Sequence, residues 1–269
     1  MKNAIENKSK LYIALITTLI SLIILVTGTY AWFTLSLSGK VQEMELKVTA
    51  GDSLFIDTVY HATVDDFHGN NFVSTTAIES QIATTYSKSG LTLGGIAMTP
   101  VTSASGKTFF NEEGNSITAS ALHYLQFDLY FIGTKDMGVY LAGDSTAGDD
   151  GTLVRSKDSA NSDPQKAIDK CVRISFDDTT LNQNAKIYEP NKNSTTTTLP
   201  AFTGVAAGTA QSTFDVLGSG LSGSEKLFDL TANTTKKIRV TIWIEGQDRE
   251  CVDSVKLAVF LTRLRFIGV

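Results

Sequence analysis

Hydrophobic residues occur along this chain in two patterns: one continuous run near the start, and short alternating segments after it. The run extends from Leu11 to Val26 without a charged residue, which predicts a membrane-seeking helix. Later segments show apolar residues at every second position, which is typical of half-buried β-strands. These segments are residues 41–48, 54–56, 122–132, 139–141, 172–176, 238–244 and 255–267. In the last of them, we expect Leu257, Val259 and Leu261 to share one face.

Helical periodicity is weak after residue 33. The pattern predicts one short helix over residues 160–170 and a short turn over residues 75–86. Polar stretches at residues 103–120, 143–163 and 179–224 are interpreted as surface excursions, because such low-complexity sequence buries too little to order itself. We therefore predict an all-β fold, a single antiparallel β-sandwich of the jelly-roll or immunoglobulin-like type. It carries long polar loop insertions and is preceded by an N-terminal hydrophobic signal helix.

The N-terminal run has the parts of a secretory signal peptide. Lysines precede it, and small residues at Thr29 and Ala31 occupy positions −3 and −1 of a cut between Ala31 and Trp32. The alternative is a retained anchor. The uninterrupted run has only 16 residues, but residues 11–33 together are long enough to span a membrane.

Both alternatives export the rest of the chain, because the lysines hold the N-terminal flank inside. We predict residues 1–31 as a signal peptide or membrane anchor and residues 32–269 as an extracellular β-sandwich domain. The protein is expected to be secreted or displayed at the cell surface, with signal peptidase as a partner.

The charge and the cysteine content of the chain bear on its partners and on its covalent structure. Charged residues make up 19% of the chain and the net charge is −5, with no basic block beyond the N-terminal lysines. A nucleic-acid partner is therefore not expected. In an exported chain, the two cysteines Cys171 and Cys251 predict one disulfide, and two thiols are the alternative.

Motifs for catalysis are missing from the sequence. His61, His68 and His123 lie outside any H-E-x-x-H motif, and the chain has no G-x-S-x-G elbow, P-loop or dinucleotide fingerprint. We interpret His61 and His68 as solvated loop residues rather than zinc ligands. The protein is predicted not to be an enzyme and to need no metal or cofactor.

Aspartates cluster at Asp144, Asp149 and Asp150, and again at Asp177 and Asp178. Carboxylates on flexible segments sometimes bind calcium, but this spacing matches no EF-hand. Solvated turn residues are the favoured interpretation.

A strand that ends in Trp243 is followed by an acidic turn that leads to Cys251. We interpret Trp243 as a plug that caps the sandwich core, with Glu245 and Asp248 fixing the turn backbone. A ligand site around Trp243 is the alternative.

The segment Gly28–Thr34 resembles the exit of signal peptides that a SipW-type signal peptidase handles in Gram-positive bacteria. The chain thereby resembles exported proteins of the TasA/camelysin group, which form biofilm matrix fibres on a jelly-roll fold. Segment 243–251 also resembles the ending of related clostridial exported proteins of unknown role. The sequence departs from the group at residues 35–37, which replace an aspartate usually found there.

The resemblance implies a structural protein of the cell surface or biofilm matrix that associates with itself or with related exported subunits. In that group, an N-terminal segment of one subunit adds a strand to the sheet of the next. Residues 32–48 would be the donor here, with Phe33, Leu35 and Leu37 alternating with polar residues. Alternatively, this segment forms the first strand of its own domain. A tethered or secreted module that binds glycans or a host surface is the second functional hypothesis.

Overall fold

A computed structural model describes the chain at residues 16–18, 39–48, 53–111, 113–118, 123–142, 151–157, 168–183, 185–190, 213–214, 226–248, 251 and 258–269. The chain divides into two compact units, residues 1–36 and residues 37–269. In the first unit, residues 16–18 are helical. The predicted boundary at residue 31 stays a prediction.

The second unit consists mainly of β-strands, as the alternating pattern predicts. Its described residues form the strands β1 (Lys40–Val48), β2 (Leu54–Asp57), β3 (Phe72–Val73), β4 (Phe109–Phe110), β5 (Ser116–Ile117), β6 (Tyr124–Gly133), β7 (Met137–Leu141), β8 (Leu153–Ser156), β9 (Val172–Asp178), β10 (Lys186–Tyr188), β11 (Thr213–Phe214), β12 (Phe228–Leu230), β13 (Lys236–Ile244) and β14 (Val259–Gly268). The helices are α1 (Thr75–Thr85) and the single turn α2 (Ile168–Cys171), with 3-10 turns at Asp65–Phe67 and Leu93–Gly95.

Most strands belong to one of two six-stranded sheets. Sheet A has the order β12-β7-β14-β1-β3, with β8 also paired to β14, and sheet B has the order β11-β10-β9-β13-β6-β2. Strands β4 and β5 form a separate hairpin. Most pairings are antiparallel, but β1 runs parallel to β14 from the pair Lys40–Val259 to the pair Val48–Phe266. The first and last described strands of the unit are thus neighbours in sheet A.

Both sheets contribute side chains to one large buried cluster. Strands β1 and β14 supply residues such as Met44, Leu46 and Phe266, while β6 and β13 supply residues such as Phe127 and Val240. Because side chains alternate along a strand, the remaining residues of β6, β9 and β13 point to the opposite face of sheet B. That outer face carries the polar clusters described below.

Several expectations need correction. In β14 the buried residues are Phe260, Thr262, Leu264 and Phe266, so the face that holds Val259 and Leu261 is the outer one. The pairing with β1 decides which face is buried, and both faces of this segment carry apolar residues.

The polar stretches also contain more structure than expected. The stretch at 103–120 includes the β4–β5 hairpin, 143–163 includes β8, and 179–224 includes β10 and β11. Residues 75–85 form a full helix rather than a turn. Of the predicted helix at 160–170, the described part begins at Ile168. Short strands in polar sequence are stabilised by their neighbours, so the local pattern does not predict them.

Candidate functional site

The predicted acidic turn after β13 is held closely against sheet B. The backbone N–H of Glu245 donates to the carbonyl of Cys171, and that of Gly246 donates to the carbonyl of Val101. Within the turn, the N–H of Cys251 donates to the carbonyl of Asp248. The turn is therefore anchored both to the start of β9 and to a segment more than a hundred residues earlier.

Trp243 lies on the outer face of sheet B and is fully buried there. Its neighbours Ile242 and Ile244 belong to the main core, whereas Trp243 packs with Val101, Phe109, Tyr124 and Ile187 in a second, smaller cluster. The ring centroids of Trp243 and Phe109 are 5.2 Å apart in an edge-to-face arrangement. The interpretation of Trp243 as a plug of the sandwich core is thus wrong, since it packs on the other side of the sheet.

A segment distant in sequence covers this part of sheet B. Gly106 adopts a positive φ of 68°, and a Cβ there would lie 2.7 Å from the Cβ of Ser175 on β9. The hydroxyl of Ser175 donates to the carbonyl of Gly106 at 2.8 Å. The close approach and the backbone conformation both favour glycine. This contact closes off the outer face beside Trp243.

Glu245 is a fully buried carboxylate that accepts several hydrogen bonds. Its donors include the indole Nε1 of Trp243 at 3.1 Å, the backbone N–H of Gln247 at 3.1 Å and that of Ser103 at 3.5 Å. Burial raises the pKa of the Glu245 carboxyl. The expectation that Glu245 fixes the turn backbone agrees with its bond to Gln247.

Arg173 occupies the centre of a buried ionic cluster. Its Nη2 lies 2.5 Å from Oδ2 of Asp248 and 2.9 Å from Oε1 of Glu189, and all three side chains are only 1–2% exposed. Its Nη1 donates to the carbonyls of Lys170 and Val172. Asp248 therefore forms an ion pair with β9, which its position in the turn did not predict.

The two cysteines lie side by side at this cluster. Both are buried, and the Cys171 thiol is hydrogen-bonded to Cys251. That hydrogen bond, together with burial, raises the pKa of the Cys171 thiol. They are not joined by a disulfide in the structure, so the disulfide stays a prediction. Chemically, the arrangement places two sulfur atoms where oxidation would tie the turn to β9.

A second ionic cluster lies on the same outer face, nearer the middle of β13. The guanidinium of Arg239 donates from Nε to Oδ1 of Asp128 at 2.9 Å, and Nζ of Lys237 lies 2.6 Å from Oδ2. The side chains are 20–38% exposed. Burial acts to raise the pKa of Asp128, but hydrogen bonds from Arg239 and Lys237 outweigh it and hold the pKa below its ordinary value.

The predicted residues of the N-terminal region are largely outside the described part of the chain. Ala31, Trp32, Phe33, Leu35 and Leu37 all lie there. Of the segment proposed as a donor, the structure describes the part from residue 39 onward, and β1 pairs within its own sheet A. The donor hypothesis therefore concerns residues 32–38.

The other candidate ligand residues make local polar contacts. The ring of His61 lies 3.2 Å from Asp57, Asp177 forms an ion pair with Lys107 at 3.0 Å, and Asp178 forms one with Lys236 at 2.7 Å.

The remaining ligand candidates Asp144, Asp149 and Asp150 lie outside the described residues. Within the part of the chain that the structure covers, no group of three or more His, Cys, Asp or Glu side chains is arranged to hold a metal ion. Over the same residues, no helix has the length and apolar character needed to cross a membrane.

Sequence reasoning singled out Trp243, Glu245, Asp248 and the cysteines, but it missed Arg173 and Glu189. Arg173 alternates with apolar residues exactly as a solvated residue of a strand would. The pattern could not show that another segment covers this face. Comparison with known proteins gives no match to a family model, a curated protein or a solved structure.

Proposed function

We propose that this chain is an exported structural protein of the cell surface or of a biofilm matrix, whose subunits join through residues 32–38. Two large sheets that share one core are the arrangement expected of a β-sandwich. The TasA/camelysin resemblance implies such a fold of the jelly-roll type. The N-terminal run of residues 11–26 supplies the export signal.

The observation that carries the proposal is the way the domain begins. The backbone of Gly39 pairs with that of Met98 in both directions, at 3.0 Å and 2.8 Å, and β1 follows at Lys40. A Cβ at Gly39 would lie 2.3 Å from Cδ1 of Ile168 and 2.5 Å from Cδ1 of Ile244. The chain thus enters the described core at Gly39, a tightly fixed point.

Residues 32–38 have the pattern of a strand that has one apolar face. Phe33, Leu35 and Leu37 alternate with Thr34, Ser36 and Ser38, which suits insertion against a partly apolar sheet edge. A segment of this kind, attached to a firmly held domain, is well placed to join one subunit to the next.

Electron microscopy of the exported protein tests the proposal. The wild-type chain is expected to form filaments, whereas a chain with the three substitutions Phe33→Ser, Leu35→Ser and Leu37→Ser is expected to remain monomeric. The proposal expects circular dichroism and thermal unfolding to be unchanged in that variant, because it assigns these residues to the contact between subunits. N-terminal sequencing shows whether the chain begins at Trp32.

A matched control changes the other face of the same segment. The variant Thr34→Ala, Ser36→Ala and Ser38→Ala keeps the apolar pattern and should still form filaments. Persistent monomers of the wild-type chain would contradict the proposal. Glycan-array binding by such monomers would favour the alternative of a binding module.

A further inference from the structure

Strand β6 has an edge that its neighbour covers only in part. On one side, β13 pairs with β6 along its length, from Phe131 down to Tyr124. On the other side, β2 pairs with residues 130–133 and ends at Asp57. The Asp57 carboxylate accepts hydrogen bonds from the N–H groups of Thr58 and Val59. This turn directs the chain away, so no described strand pairs with residues 124–129 on this side.

At this edge, two side chains bind the backbone of β6 where a neighbouring strand would otherwise pair: Gln81 in α1 and Tyr86 just after it. The hydroxyl of Tyr86 donates to the carbonyl of Tyr124 and accepts from the N–H of Gln126, both at 2.8 Å. The amide oxygen of Gln81 accepts from the N–H of Asp128 at 2.6 Å. Two side chains thus satisfy three backbone groups that a neighbouring strand would otherwise bind.

Packing rather than intrinsic propensity stabilises α1. Seven of its eleven residues are Thr, Ser or Ile, which are mediocre helix formers, and it has no acidic residue in its first turn or basic residue in its last. Ile78, Ile82 and the adjacent Tyr86 are buried in the main core. The helix therefore persists only as long as these three side chains keep their places.

We propose that α1 is a displaceable guard of the β6 edge, and that residues 33–37 of a second copy of the chain add there as a strand when the guard withdraws. This inference rests on the proposed function, since it names the acceptor and the regulation of the same joint. In the isolated chain, the guard keeps the edge closed and delays assembly.

The incoming segment fits within the uncovered edge and matches α1 in its number of apolar side chains. Residues 33–37 are five in number, and β2 leaves the six residues 124–129 of β6 uncovered. The incoming segment has three apolar side chains on one face, Phe33, Leu35 and Leu37. The helix and the residue after it likewise contribute three to the main core, Ile78, Ile82 and Tyr86. The backbone of the incoming segment would take over the hydrogen bonds that Gln81 and Tyr86 provide.

Cysteine cross-linking between two preparations tests the acceptor. One preparation carries Ser36→Cys and the other carries Gln126→Cys, because both residues lie on the polar side of their segments. Thr34→Cys is a second probe, because the register of the added strand decides which of the two residues lies opposite Gln126. After mixing, assembly and oxidation, a disulfide between the two preparations is expected on a non-reducing gel.

The control pairs Ser36→Cys with Lys157→Cys, an exposed position next to β8 of sheet A, and should give no such product. Filaments without a cross-link to position 126 would overturn the acceptor and leave the proposed function standing. A wild-type chain that forms no filaments would overturn the proposed function itself.

Substitutions that weaken or strengthen α1 test the guard. Tyr86→Phe keeps the ring but leaves the N–H of Gln126 without its acceptor, so assembly should accelerate by roughly tenfold. Ser80→Ala with Thr84→Ala removes hydroxyls that bond to carbonyls within the helix, which should strengthen it and slow assembly.

Light scattering gives the assembly rates, and hydrogen exchange at the Gln126 amide reports on the closed edge. Unchanged rates in both variants would overturn the role of α1. The second variant retains every contact to β6, so it remains informative if Tyr86→Phe fails to fold.

Discussion

Two ionic clusters on the outer face of sheet B share the same chemistry but differ in their access to water. Arg173 binds Asp248 and Glu189 with side chains that are 1–2% exposed, whereas Arg239 binds Asp128 with side chains that are 20–38% exposed. Both arginines lie at outward positions of adjacent strands. The difference arises because Asp248, in the turn after β13, and Glu189, just after β10, are themselves buried with Arg173, whereas the second cluster stays open to solvent. Solvent access, rather than residue type, therefore decides what each ion pair contributes.

The largest expected effect is the loss of the buried arginine. Arg173→Met removes the guanidinium that pairs with the buried carboxylates of Asp248 and Glu189, and should lower the free energy of unfolding by about 3–5 kcal/mol. Arg239→Met is the matched variant at the exposed cluster, and should cost about 0–1 kcal/mol. Chemical denaturation measures both. Equal losses in the two variants would contradict the comparison.

The next effect in size concerns the predicted disulfide, which would lie at the buried cluster. If Cys171 and Cys251 pair in the protein purified without reductant, its intact mass lies two hydrogen atoms below that of the reduced protein. Reduction should then lower the free energy of unfolding by up to about 4 kcal/mol, because the bond closes a loop of about 80 residues. Equal masses before and after reduction would show that the thiols stay unpaired.

Substitution of the buried indole should have a smaller effect. Trp243→Phe removes the indole N–H, which is one of the hydrogen-bond donors to Glu245, and part of the contact with Phe109. We therefore expect a loss of about 2 kcal/mol in the free energy of unfolding. Tyr60→Phe is the control, since Tyr60 is 60% exposed and should change stability by less than about 0.5 kcal/mol. A larger loss of stability in Tyr60→Phe than in Trp243→Phe, measured by thermal unfolding, would contradict the assignment of a second core.

The smallest effect concerns the pH dependence of the exposed cluster. The pKa of Asp128 is lowered in the folded state, so its stabilising contribution is fully present above the unfolded value of about 3.9 and is lost as the pH falls through the folded value. The difference in unfolding free energy between wild type and Arg239→Met should therefore vanish in acid. A difference that grows as the pH falls would have the wrong sign for this ion pair.

The sequence predicted the strands that have a strong alternating pattern. It did not predict the strands that form only because a neighbouring strand pairs with them. Strands β6, β9 and β13 lie where alternation placed them, because a period of two follows from strand geometry itself. Strands β8 and β10 lie in polar stretches and are held by pairing with β14 and β9. The local sequence pattern does not indicate which distant strand will pair with such a segment.

The candidate site shows the same division. The motif around Trp243 was visible because a large indole, acidic residues and a cysteine within nine positions are unusual in a strand and turn. The partners Arg173 and Glu189 were not visible, because their spacing in the chain says nothing about their distance in space. The plug interpretation failed because alternation tells which residues share a face without telling what covers that face.

The sequence alone determined the β-rich class and the alternation within each strong strand, and it predicted the export signal, because these depend on residues close together in the chain. Only the tertiary structure decided that β1 lies parallel to β14, that Trp243 belongs to a second core, and that the two cysteines meet. It also decided which arginine is buried. Each of these depends on segments far apart in the chain, and burial depends on what another segment covers.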